Sequence, residues 1–225
     1  MLAEIINFEN RDYKEIWDYQ LRLVEERALN KIRDTLILVE HSDVVTLGRR
    51  GKHEDVLTDN YPVYNIERGG EATYHGPGQL VGYPIIHISQ RGTSVLTLVR
   101  MIEEVLIQTS SEFHVDASRI NGKPGVWVNG KKIASIGIAI RHWVTFHGFA
   151  LNVNTDISKF NCIRPCGMES SVMTSIEKIR GERISMEKVK ESIIRHFGII
   201  FGYEIEQNVS HPPLISTKNA NRGIQ

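Results

Sequence analysis

Apolar residues recur at helical spacing between Asp12 and Asn30. Ile16, Tyr19, Leu23 and Leu29 fall near one face, while Glu15, Arg22, Glu25 and Glu26 face water, so an amphipathic helix is predicted there. The run Thr35 to Glu40 is short and apolar, as a buried strand requires. Val44 to Leu47 leads into a basic loop, Gly48-Arg49-Arg50-Gly51-Lys52-His53. Val63 to Ile66 and Tyr83 to Ile88 read as strands on either side of a glycine-rich run. Ser94 is placed to cap a helix with Val95, Leu98, Val99, Ile102 and Leu106 on its apolar face. Gly125 to Val128 and Lys131 to Ile140 flank Asn129-Gly130, a strong tight-turn signal, and predict a β-hairpin. Val144 to Val153 reads as a further strand. Met186 to Gly198 reads as a last helix, with Val189, Ile193, Ile194 and Phe197 inward. The order of elements is mixed α/β, with several neighbouring strands expected antiparallel.

Composition narrows the class. With 225 residues the chain fits one domain, taken here as residues 1–208, followed by a flexible tail at 209–225 rich in Pro, Ser, Asn and Lys. Hydrophobic residues make up 41% and charged residues 24%, a balance that supports a proper core. Lys+Arg and Asp+Glu are equal at 27 each, which argues against a globally basic, nucleic-acid-binding surface. No stretch approaches ~20 apolar residues, the length of a membrane span. The start lacks a basic segment followed by a long apolar one, and two cysteines are too few for a secreted disulfide scaffold. The expectation is a cytoplasmic protein with reduced thiols, a monomer, without nucleic-acid or membrane partners.

Candidate chemistry concentrates in a few places. The densest is Arg68-Gly69-Gly70-Glu71-Ala72-Thr73-Tyr74-His75-Gly76-Pro77-Gly78-Gln79. Glycines let backbone approach a ligand closely, and Arg68, Tyr74 and His75 add polar tips beside it. The run therefore reads as a binding-site wall. Cys166 follows a proline and precedes a glycine, a frame that presents a thiol as a nucleophile, although a free cysteine is more often a small buried hydrophobe. Cys162 lacks that frame and reads as a packing residue. Lys131 and Lys132 point opposite ways if they lie on a strand, so one of them can face inward and tune a nearby thiol; two solvated lysines beside a turn are the simpler reading. Cys162 and Cys166 without a second compact ligand pair do not make a zinc site. No phosphate loop, dinucleotide turn or serine elbow is present. The loop Arg49, Arg50, Lys52, His53 suits either an acidic partner or plain solvation.

Taken together these blocks resemble the lipoate-biosynthesis octanoyltransferases, also called lipoyl(octanoyl) transferases. The resemblance rests on Arg68-Gly69-Gly70, Thr73-Tyr74-His75-Gly76-Pro77-Gly78-Gln79 with Tyr83, then Gly125 to Val128 with Lys131 to Gly137. His147 to Asn154, running on to Pro165-Cys166-Gly167, completes it. It covers the chain from the first helix to the last. It implies a biotin/lipoate protein ligase-like fold: α/β of the α+β type, with a mixed, largely antiparallel sheet flanked by helices. It implies transfer of an octanoyl group from octanoyl-acyl carrier protein to a lysine of lipoyl domains, those of 2-oxoacid dehydrogenase complexes and of the glycine cleavage H protein, with no cofactor. It assigns Cys166 as thioester nucleophile and Lys132 as its partner. It places substrate along Arg68, Gly69, Gly70, Glu71, Ala72, Thr73, Tyr74 and His75, along Ser135, Ile136 and Gly137, and along Gly148, Phe149 and Ala150. The rival readings are an amidotransferase acting between lipoyl domains, an ATP-dependent lipoate or biotin ligase, and a non-catalytic acyl-binding module.

Overall fold

The structure, a computed structural model, describes residues 1–164 and 172–206. Cys166 and the tail from residue 209 lie outside the described residues. The first half of the chain runs β1 (Leu2–Arg11), α1 (Tyr13–Ala28), β2 (Asp34–His41), β3 (Val44–Leu47), β4 (Val63–Asn65), β5 (Ala72–His75), β6 (Gln79–Ile85), α2 (Ile88–Arg91) and α3 (Val95–Glu112). The second half runs β7 (Ser118–Ile120), β8 (Lys123–Val128), β9 (Lys131–Arg141), β10 (Val144–Asn152), α4 (Ile176–Arg180), α5 (Met186–Phe201) and β11 (Glu204–Glu206). Among the described residues, eight strands form one sheet in the order β11-β1-β2-β6-β10-β9-β8-β7, and three form a second in the order β4-β3-β5. Within the large sheet β1 runs parallel to β2 and β11, and the other neighbours are antiparallel.

Local chemistry explains the elements. Asp12 caps α1 by accepting a hydrogen bond from the Glu15 N–H at 3.1 Å, and Ser94 caps α3 through the Thr97 N–H at 3.1 Å. Asn129 and Gly130 both take positive φ, 49° and 76°, as a two-residue hairpin turn between twisted strands needs. Side chains of β2 alternate between two cores. Leu36 and Leu38 join Leu98, Ile102, Ile193 and Phe197 of α3 and α5, whereas Ile37 and Val39 join Ile16, Tyr19 and Leu23 of α1. Helices therefore cover both faces, which is why the middle of this strand, Leu36 to Val39, is apolar throughout.

Several expectations shift. Leu29 is 65% exposed as the residue that ends α1, and Val24 takes its place in the core. Val95 is exposed and Val99 half-buried, so the buried face of α3 runs through Leu98, Ile102, Val105 and Leu106. Ile88 opens a short helix after β6 has ended at Ile85. The glycine-rich run is not wholly a loop: Ala72 to His75 form β5, paired with β3.

Candidate active site

The glycine-rich run is laced into the fold through its backbone. The N–H groups of Gly48, Arg49 and Arg50 donate to the carbonyls of Glu71, Arg68 and Gly70 at 3.0–3.1 Å, and Gly69 N–H donates to the Ile138 carbonyl at 3.2 Å. The run thus bridges the small sheet and β9. Gly48 has no room for a side chain, since a Cβ there would sit 2.6 Å from the Gly70 oxygen. The Arg68 guanidinium turns inward and donates to the Thr46 carbonyl at 2.8 Å and to its hydroxyl at 3.0 Å.

A narrow slit of about 60 Å³ opens between this run, β9 and β10. Arg68, Gly69, Gly70, Glu71, Ala72, Thr73 and His75 line it, together with Lys132, Ser135, Ile136, Gly137, Gly148, Phe149 and Ala150. Tyr74 does not. Neighbouring side chains on a strand face opposite ways. The Tyr74 ring packs edge-on against Phe160 at 5.3 Å, and its hydroxyl donates to Asp43, on the far side of the small sheet. Tyr83 and His147 of the motif blocks also line the slit, as do Tyr13 and Val81, which no local sequence signal singled out.

Lys132 sits where the slit meets a second, outer groove of about 720 Å³. Of the hairpin lysines it is the inward one, 6% exposed, while Lys131 is solvent-exposed. Its Nζ lies 5.3 Å from the centre of the Trp127 ring, near which Lys123 Nζ also lies at 5.7 Å. Gly125 makes space for it: a Cβ there would stand 2.6 Å from Lys132 Cε. The outer groove is mainly apolar, with Val95, Leu96, Pro124, Trp127 and Ile138 in its walls and Arg50 and Lys123 among its lining cations. The exposed Val95 and Leu96 thus have a place, as part of this apolar wall.

Three histidines cluster at the slit's buried side. His41 Nδ1 faces the Arg11 carbonyl at 3.0 Å and so carries the proton, which makes the Tyr83 hydroxyl the donor to Nε2 at 2.8 Å. His75 Nδ1 lies 2.7 Å from Gln79 Oε1, and its ring stacks on Tyr13 at 5.8 Å. His147, at φ 55°, lies 3.3 Å from the Glu67 carboxylate through Nε2. Burial pushes all three down, His41 to about 4, His75 to about 3 and His147 to about 4, the last despite the opposing pull of Glu67. All three are neutral at pH 7. Cys162 is buried beside Phe160 and Ile163, and burial raises its thiol to about 11, which keeps it protonated.

These histidines make the fold acid-sensitive. Each has a folded pKa below its unfolded value of 6.5. Each therefore contributes stability that is complete above pH 6.5 and is lost as pH falls toward 4 or 3, about 3 to 5 kcal/mol apiece. By pH 5 each has given up about 2 kcal/mol, so the melting temperature should be roughly 10–20 °C lower there than at pH 7. Glu112, held down to about 2 chiefly by its hydrogen bond from Arg195, titrates too low to account for that window. Equal melting temperatures at the two pH values would refute this assignment.

Comparison with known proteins agrees with the geometry. Residues 12–198 match the family model described as lipoyl protein ligase A/B catalytic domain. The octanoyltransferase of Syntrophotalea carbinolica is 46% identical over 185 residues, covering 82% of this chain and 88% of that protein. The octanoyltransferase of Alkaliphilus metalliredigens is 39% identical, covering 93% and 100%. In fold, the chain resembles lipoate-protein ligase A bound with ATP, at TM-score 0.70 and 15% identity over 93% of this chain and 90% of that one. It also resembles the biotin protein ligase of Aquifex aeolicus, at TM-score 0.54 and 13% identity over 90% and 70%. With relatives of this identity aligned along nearly their whole length, the chain belongs to the octanoyltransferase family of acyl-transferring enzymes.

Proposed function

We propose that this octanoyltransferase takes its acyl group from octanoyl-acyl carrier protein, holds it as a thioester on Cys166, and passes it to a lysine of a lipoyl domain. One observation carries the reading. Lys132 is buried where the slit and the groove meet, and the chain that has just passed Cys166 comes back alongside it. Met173 is bridged to Lys132, and the Thr174 N–H donates to the Lys132 carbonyl at 3.0 Å.

The chemistry follows in two steps. The Cys166 thiolate attacks the octanoyl carbonyl, the carbon–sulfur bond to the carrier's arm breaks, and the arm leaves as a thiol by taking a proton from the Lys132 ammonium, which is left as the amine. One thioester replaces another, so loading needs no ATP. Lys132 supports the thiolate as an ammonium, or takes the thiol proton as an amine. The acceptor lysine then attacks the new thioester, loses a proton to Lys132, and expels the Cys166 thiolate as the amide forms. The slit, about 60 Å³ with Val81, Ile136, Phe149 and Ala150 in its walls, takes one part of the octanoyl chain. The apolar outer groove supplies the rest of the path. Arg50 and Lys123 beside it, with Arg49 and Lys52 on the exposed loop, suit an acidic donor.

The test is to incubate the protein with octanoyl-carrier protein, without ATP, and to examine it by mass spectrometry. The expected product is a hydroxylamine-labile octanoyl adduct on Cys166. Loading from an octanoylated lipoyl domain but not from the carrier would favour an amidotransferase. Transfer that depends on ATP would favour a ligase. No adduct from any donor would refute the reading.

A further inference from the structure

The slit's opposite walls are joined by one line of buried hydrogen bonds. His75 Nδ1 lies 2.7 Å from Gln79 Oε1, Gln79 Nε2 donates to Asn152 Oδ1 at 2.9 Å, and Asn152 Nδ2 donates to the Thr174 carbonyl at 3.0 Å. The Thr174 N–H then donates to the Lys132 carbonyl at 3.0 Å. His75, Gln79, Asn152, Thr174 and Lys132 are all buried, between 1% and 7% exposed. The direction of every bond is determined. Gln79 Nε2 also faces the Tyr74 carbonyl at 3.3 Å, and a carbonyl can only accept, so the two hydrogens of that nitrogen are spoken for and Oε1 must receive from His75. The Thr174 carbonyl orients Asn152 in the same way.

The position of Asn152 gives the line its purpose. Asn152 is the last residue of β10 and pairs with Gln79, the first of β6. The last pairing of β10 with β9 is Leu151 to Ala134; two residues further along β9, Met173 pairs with Lys132 instead. The Asn152 side chain spans that handover. We propose that Asn152 is a positioning residue: its amide clamps the strand returning from the Cys166 segment against β9 and so sets the place of Lys132 relative to the reacting thiol. This rests on the Cys166–Lys132 reading above.

Asn152→Asp tests it with almost no change of shape. The ionised carboxylate still accepts from Gln79 but sets an oxygen against the Thr174 carbonyl, where a donor is needed. Protonated, it regains an O–H in the donor's place. The titratable groups along the line are His75, which stays neutral, and Lys132; the nearby Glu40 carboxylate is held by the Gly78 N–H at 2.9 Å. At pH 8 kcat should fall tenfold or more with KM within twofold of the parent, and alkylation of Cys166 by iodoacetamide should slow in step. At pH 6 the ratio to the parent should recover several-fold. A kcat within twofold of the parent at pH 8, or a loss of equal size at both pH values, would overturn the proposal. Should Asn152→Asp fail to fold, Gln79→Met removes the donor to Asn152, and is expected to lower kcat several-fold at constant KM; unchanged kcat there overturns the proposal as well. If the parent protein forms no adduct on Cys166, it is the thioester reading that fails instead.

Discussion

With Cys166 replaced by alanine, no octanoyl group should reach the acceptor, and with Lys132 replaced by methionine both half-reactions should slow by roughly a hundredfold or more. The two losses differ in kind. Alanine at 166 removes the atom that carries the acyl group, so neither an adduct nor product forms. Methionine at 132 keeps an apolar stem of similar length beside Gly125, with sulfur in place of one methylene, and removes the nitrogen over Trp127. Thiol loading then loses the group that favours or forms the thiolate, and delivery loses the group that accepts the amine proton. Single-turnover measurement of each half-reaction separates them, with circular dichroism as a check on folding. Normal transfer by Cys166→Ala would end the covalent mechanism. A Lys132→Met enzyme with parental rates in both steps at neutral pH would remove Lys132 from it.

Gly148→Ala should be the most damaging of the small substitutions in the slit. A Cβ at that position would stand 2.0 Å from the Gly82 carbonyl oxygen and 2.7 Å from Pro84 Cδ. Neither obstacle is the tip of a flexible side chain. Both belong to β6, which is itself pinned in mid-sheet between β2 and β10. Relief requires the strands to part, and overpacking of this kind costs about 3 kcal/mol. For a chain of this size that corresponds to a fall in melting temperature of roughly 6–12 °C. Gly130→Ala provides the contrast. It has open space around it and strains only its own backbone at φ 76°, a cost of about 1–2 kcal/mol. A Gly148→Ala protein melting within a degree or two of the parent would show that the strands can give.

What was legible in the sequence was what short-range chemistry decides. Capped amphipathic helices, the Asn129-Gly130 turn and the two-faced apolar strand β2 need only neighbours in sequence to declare themselves. The walls of the slit were found through the resemblance of three motif blocks, and the geometry gathers all of those wall residues except Tyr74 around one space. Tyr74 was misplaced because the glycines around it hid β5, and with it the alternation that turns the ring away. β1 was missed because Asn7, Glu9, Asn10 and Arg11 dilute its apolar pattern; pairing with β2 and β11 holds it instead. The line from His75 through Asn152 to Lys132 spans residues far apart in sequence, and no local pattern encodes it. His147 opened the third motif block but carried no role there, since its contacts are to Gln20 and Glu67, both more than seventy positions earlier.

The pairing of Leu2, Ala3 and Glu4 with Glu204, Ile205 and Glu206 has a consequence for biosynthesis. β1 gains its outer neighbour only when β11, at the other end of the described fold, has been made. Until then β1 presents one open edge, a template on which another nascent chain can add. Glu4 and Arg11, with Glu9 between them, place charge along that strand. Such charges discourage a second copy from docking there before β11 is in place.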